Sequence, residues 1–451
     1  LEKASNSNVY LGTHAERLAS TSNQWTNSDV FVEMDEELVY IFFAGRWFLM
    51  GTQDVNILTI PDVSIQSSDS PSVDAFGRWR VSNPITLFDS KLLYDKAPLF
   101  WSEKLIGLAA SGHSVADSMV TMTVMGNGDT AVRQTKTRMN YQPGKSQLVM
   151  MTTVFGSPSA ATTKRVGAFD ANNGLFFEYQ NDTIYCVRRK GGVDTKTADA
   201  DWNLDKLDGT GPSGVVVDWT KSHIIAMDYE WLGVGRVRYG LVIDGLIIYV
   251  HQYLNANNFD STYIATPNLA LRYEISSSGG AGSLVHICSS VISEGGSEDN
   301  GVIRATSTGN AHLDANVAGT VYGIIGVRLK STSFDATVKP ISLSMIATTN
   351  DNFEWLLCIN PTVAGSVSWG NYSNSVLQVA YGATANVVSD TGTLIGTGFA
   401  SAKTLETAAE LASALRIGAD LNDVADQMWL CVRPLNSNVD IHASLTWREM
   451  V

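Results

Sequence analysis

The chain has 451 residues, 44% of them hydrophobic and only 17% charged, so it is long enough for two or three separate cores. A formal charge of −14 excludes an extended phosphate-binding surface, because counterion release needs clustered Lys and Arg and the nearest such run is the short Arg188-Arg189-Lys190 beside a Gly-Gly turn. Four cysteines, Cys186, Cys288, Cys358 and Cys431, lie scattered in apolar runs without a C-x-x-C pair, which excludes a zinc knuckle or disulfide framework and predicts buried free thiols.

Abundant Gly, Ser, Thr and Asn suit short strands joined by tight turns, so the expected class is mainly β. No apolar stretch reaches transmembrane length and the first residues lack signal-peptide features, so no membrane association is expected. The start at Leu1 is compatible with a processed end or a preceding leader.

In chain order, Val30–Met34, Leu38–Phe43 and Arg46–Met50 read as a small β-meander inside an N-terminal module of residues 1–60. Its aromatics Trp25, Phe42, Phe43 and Trp47 exceed what about fifty residues hide alone, which marks them as an attachment or oligomer interface. The Ser-rich stretch Ile65–Ser72 reads as a linker.

A second body, residues 61–318, reads as a lectin-like jelly-roll sandwich with strands at Val120–Met125, Gln147–Phe155, Leu175–Tyr179, Thr183–Arg189 and Ser222–Tyr229. Further strands are expected at Leu269–Ile275 and Ser283–Ile292. Arg236–Ile243 and Leu246–Tyr253 flank Asp244-Gly245, a pair that accepts the positive φ angles of a type I′ turn, and predict a central hairpin.

A third body, residues 319–451, reads as a C-terminal β-sandwich with strands at Gly323–Lys330, Ile341–Thr348, Glu354–Asn360, Val376–Ala380, Trp429–Pro434 and His442–Trp447. Thr404–Ile417 alone reads as helical: Thr407 and Glu410 have capping-box spacing, Leu411 and Leu415 share a face, and Gly418 can stop it.

Catalytic signatures fail. Gly112-His113-Ser114-Val115-Ala116 is not G-x-S-x-G, and Gly144-Lys145-Ser146 lacks the upstream Gly of a phosphate loop, where Met139 stands. The seven histidines show no metal-ligand spacing, and no carboxylate pair is singled out. Asp201, Asn203 and Asp205 space oxygens as a calcium loop would, yet Lys206 and Pro212 break the EF-hand pattern; a different calcium site competes with a plain acidic turn. Trp79, Trp101 and Trp231 are the tryptophans least obviously placed on an alternating strand, hence candidates for glycan stacking against the commoner role of core residue. No cofactor is expected.

Three passages carry a family resemblance. Gly12-Thr13-His14-Ala15-Glu16-Arg17-Leu18-Ala19, followed by Phe31-Val32-Glu33-Met34-Asp35, Tyr40-Ile41-Phe42 and Gly45-Arg46-Trp47, resembles short modules of tailed-phage virion proteins. Asp74–Pro84, Glu230–Gly240 and the ending Leu445-Thr446-Trp447-Arg448-Glu449 are similar to uncharacterised particle proteins of aquatic phages and large viruses. The resemblance implies a phage particle component, with no catalytic residue set to carry over and no place on the virion named. The leading expectation is a non-enzymatic structural protein made in the host cytoplasm and carried on the particle exterior, as a capsid decoration, fibre or tail-fibre component. Other virion proteins are the expected partners; the aromatic excess of the N-terminal module and the cyclic symmetry common in fibres predict a homo-oligomer with a trimer as first choice, and the acidic balance predicts no nucleic-acid binding. The competing expectation is a lectin-like receptor-binding protein or a polysaccharide depolymerase, since a jelly roll serves each.

Overall fold

A computed structural model describes residues 2–3, 9–19, 29–33, 38–43, 46–52, 83–298, 300–401, 406–409 and 416–450. The chain divides into two units, Leu1–Val81 and Ser82–Val451.

In the first unit, Val30–Glu33, Leu38–Phe43 and Arg46–Thr52 form the antiparallel meander that the apolar runs predict. Two earlier strands extend it: Val9–Gly12 pairs in parallel with Val30–Glu33, and Glu2–Lys3 pairs with Val9–Gly12. A parallel neighbour requires a crossover, which contains the short helix His14–Ala19. Thr13 and Glu16 cap it reciprocally: the Thr13 amide donates to Glu16 Oε2 at 2.8 Å and the Glu16 amide to Thr13 Oγ1 at 3.3 Å. The next residue, Arg17, pairs with the fully buried Glu33 and covers the Tyr40 ring at 3.9 Å. The Thr-x-x-Glu-Arg and Phe-x-Glu passages are therefore two halves of one joint, a cap and an ion pair.

In the second unit, two sheets face one another across an apolar core. The seven-stranded sheet has the order Val193–Ala198, Thr183–Lys190, Gly174–Gln180, Thr162–Phe169, Leu271–Ser277, Thr130–Thr135 and Trp101–Ile106. The eight-stranded sheet runs Leu246–Tyr253, Val237–Ile243, Ser222–Tyr229, Gln147–Val154, Gly282–Ser293, Met119–Val124 and Ala110–Ser114, with Ile85–Lys91 also on Gly282–Ser293. Alternate residues such as Val149, Val166, Phe177, Tyr239 and Tyr273 fill the space between them. The Asp244-Gly245 turn forms as predicted, with φ of +50° and +82°. Its hairpin lies at the sheet edge and not at the centre, because Leu246–Tyr253 is the terminal strand; a bulge at Tyr239/Gly240 interrupts its register.

A second sandwich follows. Val439–Met450 sits between Val302–Ser307 and Thr337–Ala347 in a five-stranded sheet, with Leu313–Ala315 also paired to it and Glu406–Ala409 at the far edge. Opposite stands a six-stranded sheet ordered Gly370–Asn371, Leu377–Tyr381, Tyr322–Leu329, Gln427–Pro434, Phe353–Ile359 and Thr393–Ala400. Val302–Ser307 and Leu313–Ala315 precede the expected division at residue 318, yet their hydrogen bonds go to the C-terminal strand.

The expected helix Thr404–Ile417 is corrected. Glu406–Ala409 is a strand that takes up the open edge of Thr337–Ala347, and Ile417 makes a bridge to Val338. Leu411 and Leu415 lie outside the described residues. Three cysteines are buried, Cys288 is half-buried, and all four are free thiols.

Candidate functional site

Strand alternation gives the seven-stranded sheet a second face, turned away from the core. On Thr162–Phe169, Val166 and Ala168 point inward, so Arg165 points outward. Arg165 stands directly opposite Glu178 on one neighbouring strand and Glu274 on the other. Its Nε donates to Glu178 Oε2 at 2.6 Å and its Nη1 to Glu274 Oε1 at 2.6 Å. Lys196 reaches the other Glu178 oxygen at 2.5 Å, and Arg272 Nε donates to Glu274 Oε2 at 2.9 Å. Burial pushes the Glu274 carboxyl up, but Arg272 and Arg165 outweigh it and hold the group below the usual range. Beside this lattice the Phe169 and Phe176 rings stack at 4.3 Å, fully buried, with the Arg189 guanidinium 4.9 Å over Phe176 and Arg272 5.4 Å over Phe169.

One end of the face opens into a polar cleft of about 340 Å³. Lys104, Gln134 and Arg272 of the sheet line it, with Lys136 and Arg138 from the adjoining loop, and Phe334, Asp420 and Asp423 close it from the second sandwich. Arg138 fixes the two walls: its Nη1 pairs with Asp170 at 2.5 Å and its Nε donates to the Phe334 carbonyl at 3.2 Å. The Ala419 amide donates to the Lys136 carbonyl at 3.1 Å and the Leu421 amide to Ser102 Oγ at 3.2 Å. Burial raises the Asp170 carboxyl, yet Arg138 and the amides of Asn173 and Asn172 hold it below the ordinary range. The cleft is thus preorganised and lined mainly by charged and polar groups, with Val132, Phe334 and Leu421 as its apolar part, which suits a polyhydroxylated ligand better than a wholly apolar one.

The core of the same sandwich holds polar guests. Arg133 Nε donates to His286 Nδ1 at 3.2 Å, and its guanidinium also pairs with Glu103. Burial, then the adjacent Arg133, keep the His286 imidazole well below its ordinary value, so the ring is neutral. Lys164, 2% exposed, donates to the carbonyls of Phe155 and Ser157, and burial lowers it to about 8. His251 is buried without a hydrogen-bond partner on either ring nitrogen, and burial depresses it to about 4.

The residues singled out in the sequence fall elsewhere. Trp101 is 2% exposed, with its ring against Tyr273 and His286 and its Nε1 on Ser90 Oγ, so no face is left for a sugar. Trp231 packs edge-on against Tyr141 and donates to the Ile264 carbonyl at 3.1 Å. Trp79 and Trp25 lie outside the described residues, and the Phe43 side chain is not among those described. Phe42 is 5% exposed inside its own module, where Trp47 meets it edge-on at 5.1 Å.

Asp205 spends its two oxygens on the amides of Leu207 and Ser213. Asn203 pairs at both ends with the Gln252 backbone, and Asp201 ends a single 3₁₀ turn on the surface. Asn203 and Asp205 hold the loop together, and the three do not gather into a metal-binding group.

No protein-family model matches the chain, and no curated protein matches it. Among solved structures it is similar to a protein of unknown function from Shewanella oneidensis MR-1, with TM-score 0.34 and 9% identity over 49% of this chain and 91% of that one. It is similar also to the CBM2 module of an evolved Dit from Lactobacillus casei BL23 phage J-1, with TM-score 0.33 and 8% identity over 49% of this chain and 100% of that one. A legume lectin-like domain from Entamoeba histolytica gives TM-score 0.30 and 10% identity over 47% of this chain and 99% of that one. Neighbours at this distance do not carry their functions across.

Proposed function

We propose that the chain is an exterior structural protein of a tailed-phage particle, and that its first sandwich binds host-surface glycan in the cleft on the outer face of the seven-stranded sheet. The observation that carries the binding role is the cleft itself, walled by two sandwiches locked through Arg138 and lined by Lys104, Lys136, Gln134 and Arg272. The particle location rests on the sequence resemblance, and the buried Arg17–Glu33 joint gives its first passage a structural reason. A homo-oligomer, trimer first, belongs to the same reading, and sedimentation of the whole chain as a monomer at micromolar concentration would remove it.

A second reading, glycan cleavage, draws on Glu178 and Glu274 flanking one guanidinium. Hydrolysis needs one carboxyl kept protonated near neutral pH, and Glu274 is shifted the other way. Binding is therefore the better account.

The test is a glycan array probed with the whole chain, followed by calorimetry on the strongest ligand. Lys104→Glu with Lys136→Glu is expected to weaken that binding at least about tenfold while the circular dichroism is unchanged. Binding indifferent to both reversals, or no glycan bound at all, overturns the assignment of the cleft. New reducing ends released from the bound glycan would favour the cleavage reading.

A further inference from the structure

The register of the C-terminal five-stranded sheet assembles a second polar constellation, far apart in sequence. Leu313–Ala315 pairs antiparallel with Val439–Met450, Leu313 opposite Ile441 and Asp314 opposite Asp440. Leu313 and Ile441 are buried in the sandwich core, so Asp314 and Asp440 take the outward side of the ladder. Two residues along each strand direction, His312 and His442 fall on that same side, their ring centroids 6.0 Å apart. His312 Nε2 lies 3.0 Å from Asp314 Oδ1 and 3.9 Å from Asp440 Oδ2. The three ligating atoms are all within 4.8 Å of one another.

Two physical points favour a cation among them. Carboxylates directly opposite across a strand pair repel, and among the described residues only His312 stands between these two. His442 Nδ1 lies 3.1 Å from the Gly309 carbonyl, to which it can only donate, so the neutral ring keeps its lone pair on Nε2. A ring nitrogen fixed in that way by a backbone carbonyl is the usual support of a metal-ligating histidine. Imidazole with carboxylate at one point selects a borderline divalent ion such as Zn²⁺ or Co²⁺ over Ca²⁺, which prefers six or more oxygens. Bonds of roughly 2.0–2.2 Å set tetrahedral ligand atoms about 3.4 Å apart, so Asp440 has to draw toward the other two, which an exposed side chain on a rigid ladder can do.

We propose that His312, Asp314 and Asp440 form a surface site for a divalent transition-metal ion, with His442 beside them, outside the 4.8 Å set and able to serve as a fourth ligand only if its side chain moves. The site belongs to the second sandwich and stands independently of the glycan cleft.

Calorimetric titration of the metal-free full chain with ZnCl₂ tests it. One Zn²⁺ per chain is expected, with a rise in melting temperature and, for Co²⁺, visible absorption of a low-coordinate complex. His312→Ala and Asp440→Asn should each weaken binding by more than about tenfold, while His223→Ala, on the first sandwich, leaves it unchanged and CaCl₂ gives no saturable heat. The replaced side chains are wholly or partly solvent-exposed, so folding should survive, and circular dichroism checks this. Failure to saturate by ~100 µM Zn²⁺, or binding that persists in His312→Ala with Asp440→Asn, overturns the proposal.

Discussion

The two sandwiches of the second unit cover the outer faces of their sheets by opposite means. On the seven-stranded sheet the cover is ionic: Arg165 bridges Glu178 and Glu274, and guanidinium groups roof a buried phenylalanine pair. On the six-stranded sheet it is mainly hydrocarbon: Trp429, fully buried, joins Val321, Leu356, Cys358, Ala380 and Cys431 under Val363, Val367 and Trp369, with Arg328 4.4 Å over the Trp369 ring and the Arg433–Glu354 pair alongside. The indole of Trp429 lies flat over Gly323 and Gly326, where a Cβ on Gly326 would come within 2.6 Å of it. The buried charges differ as well: among the described residues the buried basic side chains, Arg133, Lys164, His251 and His286 among them, all lie in the first sandwich, while the second buries the carboxylates Asp351, Asp426 and Glu449. A charged cover is costly to desolvate and weak as a source of stability, but it holds donors and acceptors in fixed places. That is what a recognition surface requires, and the first sandwich has the polar cleft.

This contrast is open to attack by mutation. Arg165→Met and Trp429→Ala should each cost about 3–5 kcal/mol in urea unfolding, the first by removing the guanidinium that two buried carboxylates share, which leaves Glu178 to Lys196 and Glu274 to Arg272, the second by opening a cavity. They should differ in rescue. Adding Glu178→Gln and Glu274→Gln should restore most of the Arg165→Met loss, and acid should shrink that loss because carboxylates that have lost one of their cations protonate more readily. The Trp429→Ala loss should not depend on pH. Equal behaviour of the two variants between pH 4 and pH 7 would erase the distinction between an ionic and an apolar cover.

A smaller effect is expected from His251. Its folded value near 4 lies below the ordinary 6.5, so the unfolded chain takes up the proton first on acidification. The neutral buried ring therefore costs nothing extra above about pH 6.5, and stability drains away as pH falls toward 4. His251→Phe should flatten that decline, raising the melting temperature more at pH 5 than at pH 7.5. An unaltered slope would mean the ring finds a proton acceptor. Among the described residues the second sandwich has no fully buried histidine, so its acid response should be shallower.

The smallest effect belongs to the edge hairpin. Nothing lies within 4 Å of a Cβ at Gly245, so Gly245→Val strains the backbone alone, at φ +82°, and should cost roughly 1–3 kcal/mol. Gly245→Asn should recover part of it, because Asn tolerates the left-handed region. Chemical denaturation of both variants measures the difference, and an unchanged midpoint for Gly245→Val would show that the turn relaxes freely at the sheet edge.

Strands with one clean apolar face were legible in the sequence. Ser222–Tyr229 and Leu246–Tyr253 have the limits their patterning indicates, and the Asp244-Gly245 turn follows from conformational preference alone. Thr130–Thr135 and Thr162–Phe169 were not, because Arg133, Lys164 and Arg165 occupy covered positions and break the alternation that marks a strand. The same residues build the ionic face, so the elements hardest to read are those that make the site. A signal was present: Lys164-Arg165, Glu178 and Arg272-x-Glu274 each place charge inside an otherwise β-prone run. A lone charge there indicates a partner on the adjoining strand, though not which one. His312 with Asp440 was beyond reach for another reason, since only register brings them together.

The position of Val439–Met450 has a consequence for how the protein is made. This strand is flanked by Thr337–Ala347 on one side and by Val302–Ser307 and Leu313–Ala315 on the other, all synthesised well before it. During translation those earlier strands emerge with no template between them, exposing unpaired edges and the apolar side chains that Leu445 and Trp447 later cover. The first sandwich has every strand of its own once Gly282–Ser293 has left the ribosome. Nascent chains should therefore acquire protease resistance in two steps, with the second body waiting on a chaperone or on its final strand.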